Sequence, residues 1–465
     1  MLAVYDRDTS CDRRAFLKIG SLALGGFSLP ALLAARTRAA EARRPLTDKS
    51  VIFLFMHGGP SQVETFDPKM SAPAGIRSAT GEAATRLPGV TFGATFPRLA
   101  ALADKIAVVR SFVTGDGRHD LKPLVGRDTV GANFGSVYAR IAGTNHPVTG
   151  MPSNVVLFPR SVDPSTQPAN LNFGKFGDPG PFGMAYAPCD PSGPGQLQKD
   201  MRLTVPLTRL EDRRRLLAEL DRVNWSLSEA RLVDGIDRTR AQAFDTILGG
   251  VADAFDLSKE DPRTLARYDT APLVRPENID RKWRNYNHYV DNAKALGKLL
   301  LLARRLCENG CGFVTVTTNF VWDMHADVNN AGVAEGMRYM GLPLDHALSA
   351  FIEDVEARGL SERILLVACG EMGRTPKINK NGGRDHWGNL APLLLIGGGL
   401  RMGQVIGQSN RTAGEPQSDA VRIPNLLATI LHTLVDVGEV RVIPSMPREI
   451  AQTMTGWQPI PGLLA

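Results

Sequence analysis

The sequence is poor in cysteine for its length. Five cysteines occur in 465 residues, and Cys11 lies in an N-terminal segment considered below. Disulfide scaffolds are short and rich in cysteine, so this composition excludes that class. Cys307 and Cys311 are four residues apart on a predicted helix, where a disulfide within one turn would strain the bond geometry. We therefore expect the other cysteines, Cys189 and Cys369 included, to be free and buried.

The sequence also has little excess charge of one sign. Its formal net charge is +6, and two of those excess positive charges belong to residues 1–42. No dense stripe of lysine and arginine accompanies the remainder. Nucleic-acid-binding domains carry such a basic stripe, so nucleic acid is not an expected partner.

Long apolar runs are missing after the first 42 residues. Every later stretch of comparable length contains charged residues, so we expect no stable membrane span in the mature protein. The single candidate, residues 19–35, is rich in Gly and Ala and is interrupted by Pro30. It is marginal for crossing the hydrocarbon of a bilayer, which is about 30 Å thick.

The N-terminus carries a predicted export signal. Residues 12–18 read DRRAFLK, which resembles the twin-arginine consensus of two arginines before a short apolar stretch. Residues 40–42 form an A-x-A cleavage site, with residues 37–39 as a poorer alternative. We predict a signal peptide over residues 1–42 and a periplasmic or extracytoplasmic mature protein over residues 43–465. Retention of the segment as an anchor is the alternative.

Short apolar runs alternate with helical patterns along the mature chain. Runs bounded by turn residues are typical of strands that are buried on both faces of a sheet. The runs lie at residues 51–55, 106–109, 155–158, 313–316, 364–368 and 393–396. The helical patterns lie at residues 294–306, 347–355 and 423–434. This order predicts an α/β fold with a mostly parallel sheet and helices on both faces.

The middle of the chain follows a different pattern. Residues 159–206 are dense in Pro and Gly, and residues 210–223 show the pattern of a charged amphipathic helix. We expect residues 160–290 to form a cap or insertion over the strand ends, within one domain that covers residues 43–465.

Histidines and carboxylates cluster just after the predicted strands. In a doubly wound sheet, binding sites lie beyond the carboxyl ends of the strands. Four of the eight histidines occupy such positions, each with a carboxylate nearby in the sequence. The candidate ligands are His57, His119, Asp323, His325, Glu371, Asp385 and His386. Imidazole with carboxylate favours Zn or Mn over Ca, so the pattern predicts a divalent metal centre.

Three of these residues are the strongest ligand candidates. Asp323, His325 and His386 combine a carboxylate with two imidazoles, the set of catalytic sites that keep one coordination position open for water. Asp385 is either a ligand itself or a partner that orients His386.

The same segments carry a family resemblance. The chain is identified as a member of the DUF1501 family, which is similar to the alkaline phosphatase/sulfatase superfamily. The segments that carry the resemblance read HGGPSQVETFDPKM, AFDLSKEDP, LLARRLCENGCGFVTV, WDMHADV, GEMGRTPKIN, GGRDHWG and GGGLRMGQVIG. The resemblance implies an alkaline phosphatase-like fold with one or two metal ions at the carboxyl edge of the sheet.

The resemblance also suggests individual roles. Asp323 and His325 resemble the superfamily's Asp/His pair on one metal, and His386 resembles its last histidine ligand. Two positions depart from the pattern. His57 stands where the superfamily has an aspartate, and Glu371 is followed by methionine rather than histidine. Both departures argue against an ordinary two-metal phosphatase centre.

Further residues are candidates for catalysis. Phosphatases of this class use a Ser or Thr nucleophile, so Ser61 is predicted for that role, with Thr65 and Ser111 as further candidates. A helix N-cap is the alternative role for Ser61. Arg374 and Arg384 are predicted to bind anionic oxygens, because a guanidinium group matches phosphate and sulfate bidentately. An ion pair with Glu371 or Asp385 is the alternative for both arginines.

These features predict a function class. The expected protein is an exported, metal-dependent hydrolase that acts on a small phosphate or sulfate ester, with the metal polarising the ester oxygen. The alternative is a non-catalytic protein that keeps the fold and binds an anion or another ligand, and the two departures favour it.

The export signal is directly testable. Replacing both Arg13 and Arg14 by lysine is expected to block translocation, because twin-arginine recognition depends on both guanidinium groups. The measurement is the protein found in the periplasmic fraction by immunoblotting. A double lysine replacement at Arg36 and Arg38, outside the motif, is the matched control. A normal periplasmic yield of the variant with lysine at positions 13 and 14 would show that the predicted export signal is wrong.

Overall fold

The computed structural model describes most of the chain. It covers residues 46–193, 251–440 and 456–464, two short strands near the N-terminus, and helical residues 209, 212–213 and 216. The chain divides into two units, Met1–Pro45 and Leu46–Ala465. In the first unit, the strands Tyr5–Asp6 and Thr9–Ser10 pair antiparallel. The twin-arginine motif, the cleavage site and nearly all of the helix predicted at residues 210–223 lie outside the described residues.

A seven-stranded sheet forms the centre of the second unit. In chain order its strands are β1 Ser50–Phe55, β2 Ile106–Val109, β3 Asn154–Leu157, β4 Phe313–Thr317, β5 Ile364–Cys369, β6 Leu393–Gly397 and β7 Gln404–Ile406. Their order across the sheet is β7-β2-β6-β5-β1-β4-β3. Each of the six predicted apolar runs forms one of these strands, and β7 was not predicted.

The sheet is parallel except for one strand. β6 pairs antiparallel with both β5 and β2, whereas every other neighbouring pair is parallel. The prediction of a mostly parallel α/β sheet is therefore confirmed. The reversed strand brings its amino end to the edge where the parallel strands present their carboxyl ends.

Four long helices cover the two faces of the sheet. They are α1 Phe134–Ala142, α2 Tyr286–Glu308, α3 Val333–Ala357 and α4 Ile423–Leu434. Because side chains alternate along a strand, Ile52 and Leu54 of β1 pack in one apolar core with α2 and α3. Phe53 and Phe55 pack in a second core with α1 and α4. The predicted coverage of both faces is confirmed.

Shorter elements complete the described fold. The short helices are Pro97–Ala101, Ala252–Phe255, Pro262–Arg267 and Val437–Val440. In the second unit, three strand pairs lie outside the main sheet: Glu82–Ala84 with Thr91–Gly93, Phe112–Val113 with Val421–Arg422, and Gly373–Arg374 with His386–Trp387. We call the last pair the site hairpin. No helix among the described residues is both long and apolar enough to cross a membrane.

The cysteines of the second unit are free thiols. Cys307, Cys311 and Cys369 are buried as predicted, whereas Cys189 is half-buried. Burial raises the pKa of the Cys307 thiol to about 12. A thiol in this state is not a nucleophile at neutral pH, which agrees with the predicted packing role.

A buried ion network joins α2 and α3 to the segment that precedes them. Arg304 on α2 is 1% exposed, with Nη2 at 2.8 Å from Glu260 and Nε at 2.9 Å from Asp354 on α3. Arg305 and Arg358 also contact Glu260, at 3.0 and 3.1 Å. Burial by itself raises the pKa of Glu260, but the guanidinium groups of Arg305 and Arg304 lower it to about 2.

The Glu260 network is expected to stabilise the fold in a pH-dependent way. Because the folded-state pKa lies below the ordinary value of 4.5, the stabilisation is complete above about pH 4.5 and is lost as the pH falls towards 2. Glu260→Gln should lower the free energy of unfolding by about 2 kcal/mol at pH 7. Urea unfolding at pH 7 and pH 3 measures this difference, which should shrink at the lower pH.

Glu308→Gln is the matched control. Glu308 also contacts Arg304, at 2.7 Å, but its side chain is 38% exposed, so its loss should cost less than about 1 kcal/mol. Equal losses for both variants, or a Glu260→Gln loss that does not change with pH, would contradict the assignment.

Candidate metal centre

The site lies at the carboxyl edge of the parallel strands. His119 lies on the loop after β2, Asp323 and His325 follow β4, and Glu371 follows β5. His386 comes from the site hairpin, just before the reversed strand β6. The reversal explains how a residue that precedes a strand reaches an edge otherwise formed by strand ends.

Four side chains converge with their ligand atoms facing one another. They are His119, Asp323, His325 and His386, whose ligand atoms all lie within 4.8 Å of one another. Asp323 Oδ1 is 3.3 Å from His119 Nε2, 3.0 Å from His325 Nε2 and 3.4 Å from His386 Nε2. The Nε2 atoms of His325 and His386 are 2.8 Å apart. A single ion with bonds of about 2.0–2.2 Å can bridge such a group, so these residues fit a metal.

Two further carboxylates lie behind the imidazoles. Glu371 Oε1 is 2.8 Å from His119 Nδ1, and Asp385 Oδ1 is 3.1 Å from His325 Nδ1. A carboxylate that accepts Nδ1–H fixes the imidazole so that its Nε2 lone pair faces the metal. Glu371 and Asp385 were predicted as ligands, whereas the structure places their oxygens against the outer nitrogens of the imidazole rings. Asp385 orients His325 and not His386.

Contacts within the cluster shift the pKa values of three of its members in favour of their charged forms. Burial lowers the pKa of His119 and of His325, but their hydrogen bonds to carboxylates outweigh burial and raise both. Burial raises the pKa of Asp323, whereas the Arg374 charge and the hydrogen bonds from the histidines hold it far below its usual range. Asp323 is therefore ionised, as a metal ligand must be.

His57 lies beside the cluster but outside it. Its side chain is buried against Phe173, Phe176 and Phe320, and its Nε2 atom has no hydrogen-bond partner among the described residues. Burial is the main cause that lowers the pKa of His57. Although it was predicted as a ligand, the structure places it behind Phe173 and Phe320, whose rings also contact His119.

Arg374 holds the Asp323 carboxylate in place. Its Nη2 donates to Asp323 Oδ1 at 2.5 Å and also to the carbonyl oxygen of Gly58. Its Nε donates to the Gly59 carbonyl oxygen at 2.8 Å, and Nη1 donates to that of Arg384 at 3.2 Å. The guanidinium group is thus occupied by protein atoms, an arrangement that does not favour the predicted binding of a substrate anion.

Arg384 and Ser61 do not reach the cluster. Arg384 is fully buried, and its Nε and Nη2 donate to Glu64 Oε1 at 3.0 and 2.8 Å. Its ion pair is therefore structural, with Glu64 as the partner instead of the predicted Asp385 or Glu371. Ser61 is buried too, and its Oγ accepts a hydrogen bond from the Glu64 N–H at 3.3 Å, as a cap of a turn does.

A cavity of about 360 Å³ opens beside the four ligands. All four ligands line it, together with five asparagines, two phenylalanines and Asp327. Among the described residues, the lining contains no serine, threonine, lysine or arginine. The asparagines were not predicted, because an asparagine in a loop is equally typical of turns and gives no distinct sequence signal.

These observations define the class of this protein. It is an α/β protein with three imidazoles and one carboxylate converging on a cavity at the carboxyl edge of its sheet. The chain belongs to the DUF1501 family, described as a protein of unknown function, whose model matches residues 48–440. A comparison with curated protein sequences finds no match.

Two solved structures are similar to this chain. The PsFucS1 sulfatase from Pseudoalteromonas sp. is 10% identical with a TM-score of 0.34, and the alignment covers 88% of this chain and 70% of that one. The structure of Ps i-CgsB is 9% identical with a TM-score of 0.33, and the alignment covers 88% and 77% of the two chains.

His325→Ala tests the metal centre. Loss of a residue that only orients a ligand lowers metal affinity by about 10–100-fold. Removing the ligand itself should lower the affinity further. The melting temperature should fall in metal-containing buffer, because a metal that binds only the folded state stabilises it. Elemental analysis and melting curves, with and without chelator, measure both effects.

His432→Ala is the matched control, because His432 is exposed on α4 and far from the cluster in sequence. It should keep the wild-type metal content. Wild-type protein that takes up neither Zn nor Mn would refute the centre.

Proposed function

We propose that this protein is an exported, metal-dependent hydrolase of phosphate or sulfate esters. The observation that carries the proposal is the convergence of His119, Asp323, His325 and His386 on the wall of an open cavity. A structural metal site is closed, whereas a catalytic one faces the space that the substrate enters. Export rests on the twin-arginine motif of the sequence.

The residues around the centre have separable tasks in this proposal. A bound divalent metal would polarise an ester oxygen and lower the pKa of water. Glu371 and Asp385 orient His119 and His325, and Arg374 keeps Asp323 ionised and fixed. Since no hydroxyl side chain is among the residues that line the cavity in the described part of the chain, we propose water as the attacking group.

The ligand set also bears on the identity of the metal. Three nitrogen ligands suit Zn or Mn and are foreign to Ca, which prefers oxygen. Four protein ligands complete a tetrahedral Zn site. Binding of a substrate as well would therefore require a coordination number of five or more. We therefore propose five-coordinate Zn or Mn.

A non-catalytic ligand-binding protein is the second candidate. The cavity lining offers no hydroxyl nucleophile among the described residues, and the guanidinium groups of Arg374 and Arg384 bond protein atoms. This arrangement favours binding of a ligand through the metal without chemistry.

Turnover of simple esters separates the two candidates. Purified protein loaded with Mn or Zn should hydrolyse p-nitrophenyl phosphate or p-nitrophenyl sulfate, and a chelator should abolish the activity. Asp323→Asn should lower kcat/KM by at least about 100-fold, because it removes a ligand. His432→Ala is again the control. A metal-loaded protein that turns over neither ester would leave the binding protein as the better account.

Ser61→Ala tests the attacking group. Loss of turnover with full metal content would identify the Ser61 hydroxyl as the nucleophile, as the sequence predicted, and would overturn the assignment to water. Retained turnover would support water.

A further inference from the structure

The cavity beside the metal ligands has an unusual wall. Apart from the ligands, it consists of amide side chains, two aromatic rings and Asp327. We propose that this wall binds a carbohydrate ring, so that the substrate is a sugar ester. The ester part of this inference rests on the proposed function, whereas the sugar-binding part does not.

The asparagines offer hydrogen bonds to the cavity. Backbone N–H groups of Asn172 and Asn329 donate to Asn170 Oδ1 and Asp327 Oδ1, at 3.0 and 2.8 Å. The side-chain amides of Asn172 and Asn329 bond no other described residue. An amide both donates and accepts, as a sugar hydroxyl does, so the two groups are matched in chemistry.

A second pair of asparagines connects the wall to the metal centre. Asn285 Nδ2 donates to Asn330 Oδ1 at 2.6 Å, and Asn330 Nδ2 donates to Asp323 Oδ2 at 3.1 Å. These bonds fix the amides relative to the carboxylate ligand. A ring held by the wall would thereby be held at a defined distance from the Asp323 carboxylate.

The aromatic rings supply an apolar surface. Phe173 and Phe320 both line the cavity, with ring centroids 4.7 Å apart and an angle of 28° between the ring planes. The C–H face of a pyranose is apolar, and aromatic rings bury such surfaces well. Amides with an aromatic platform therefore suit a hydroxylated ring better than a lipid chain.

The charges of the wall exclude two other ligand classes. Among the described lining residues there is no lysine or arginine, and Asp327 adds a negative charge. A nucleoside triphosphate or a phospholipid headgroup would have only the metal to balance its charge. A sugar with one ester group would place its anionic group among the metal ligands and its hydroxyls against the amides. The volume of about 360 Å³ suits a small ligand.

The first experimental arm measures binding without chemistry. The probes are the disaccharides maltose, cellobiose and laminaribiose, titrated calorimetrically into metal-loaded full-length protein. At least one disaccharide should bind. No saccharide binding at all would overturn the proposal.

The second arm measures specificity. The kcat/KM for glucose 6-sulfate, galactose 6-sulfate and their 6-phosphate analogues is divided by that for the matching butyl ester, whose alkoxide leaving group has a similar basicity. This ratio should exceed about ten for one sugar ester, because hydrogen bonds to the sugar hydroxyls stabilise the complex of that ester alone. A ratio below one for all the sugar esters would overturn the proposal.

Variants of the wall provide the matched comparison. Asn172→Leu and Asn329→Leu should each lower the saccharide affinity and the specificity ratio by about tenfold. Asn287→Leu replaces an exposed asparagine that does not line the cavity, and should change neither. Phe173 is not a suitable site for substitution, because its ring also contacts the ligand His119. Equal effects of the three variants would overturn the proposal.

The two hypotheses fail in different ways. Saccharide binding that depends on Asn172 and Asn329, without turnover of any ester, would refute the proposed hydrolase and leave the sugar site standing. Turnover of aryl esters with a ratio that neither variant changes would support the hydrolase and refute the sugar site.

Discussion

The edge of the sheet depends on one buried negative charge. Asp323 is 7% exposed, and a carboxylate so far from water is stable only when other groups neutralise it. The Arg374 guanidinium supplies the positive charge that neutralises Asp323. Its other N–H groups bond the carbonyl oxygens of Gly58 and Gly59 after β1. A Cβ at Gly58 would lie 2.6 Å from the Asp323 nitrogen, so this approach requires glycine. One ion pair thus ties together the loops after three strands.

The cluster is also unusual in where its carboxylates lie. Only Asp323 contributes an oxygen to the group of four, while Glu371 and Asp385 bond the outer nitrogens of two histidines. The methionine that follows Glu371, one of the two departures from the superfamily pattern, has a packing role. Met372 is fully buried and occupies the space against Gly59, so no second imidazole stands after Glu371. The resulting centre is rich in nitrogen donors, unlike the carboxylate-rich set expected for hard cations.

Local patterns predicted the fold well, and side-chain pairing less well. The apolar runs at residues 51–55 and 364–368 form neighbouring parallel strands, because burial on both faces leaves a clear signal. The reversal of β6 was not predicted, since an apolar run carries no information about its direction. Arg384 shows the second limit. Its partner Glu64 is 320 residues away in the chain, and only the folded structure reveals a pair of that kind.

The reversed strand has a consequence for the order of synthesis. His386 completes the cluster and precedes β6, so a nascent chain lacks one of the four ligands until that part has left the ribosome. The core between β5 and β2 is also open until β6 is inserted. The first 380 residues therefore lack one of these four side chains. A metal held by all four would bind only after the part of the chain that contains His386 has been synthesised.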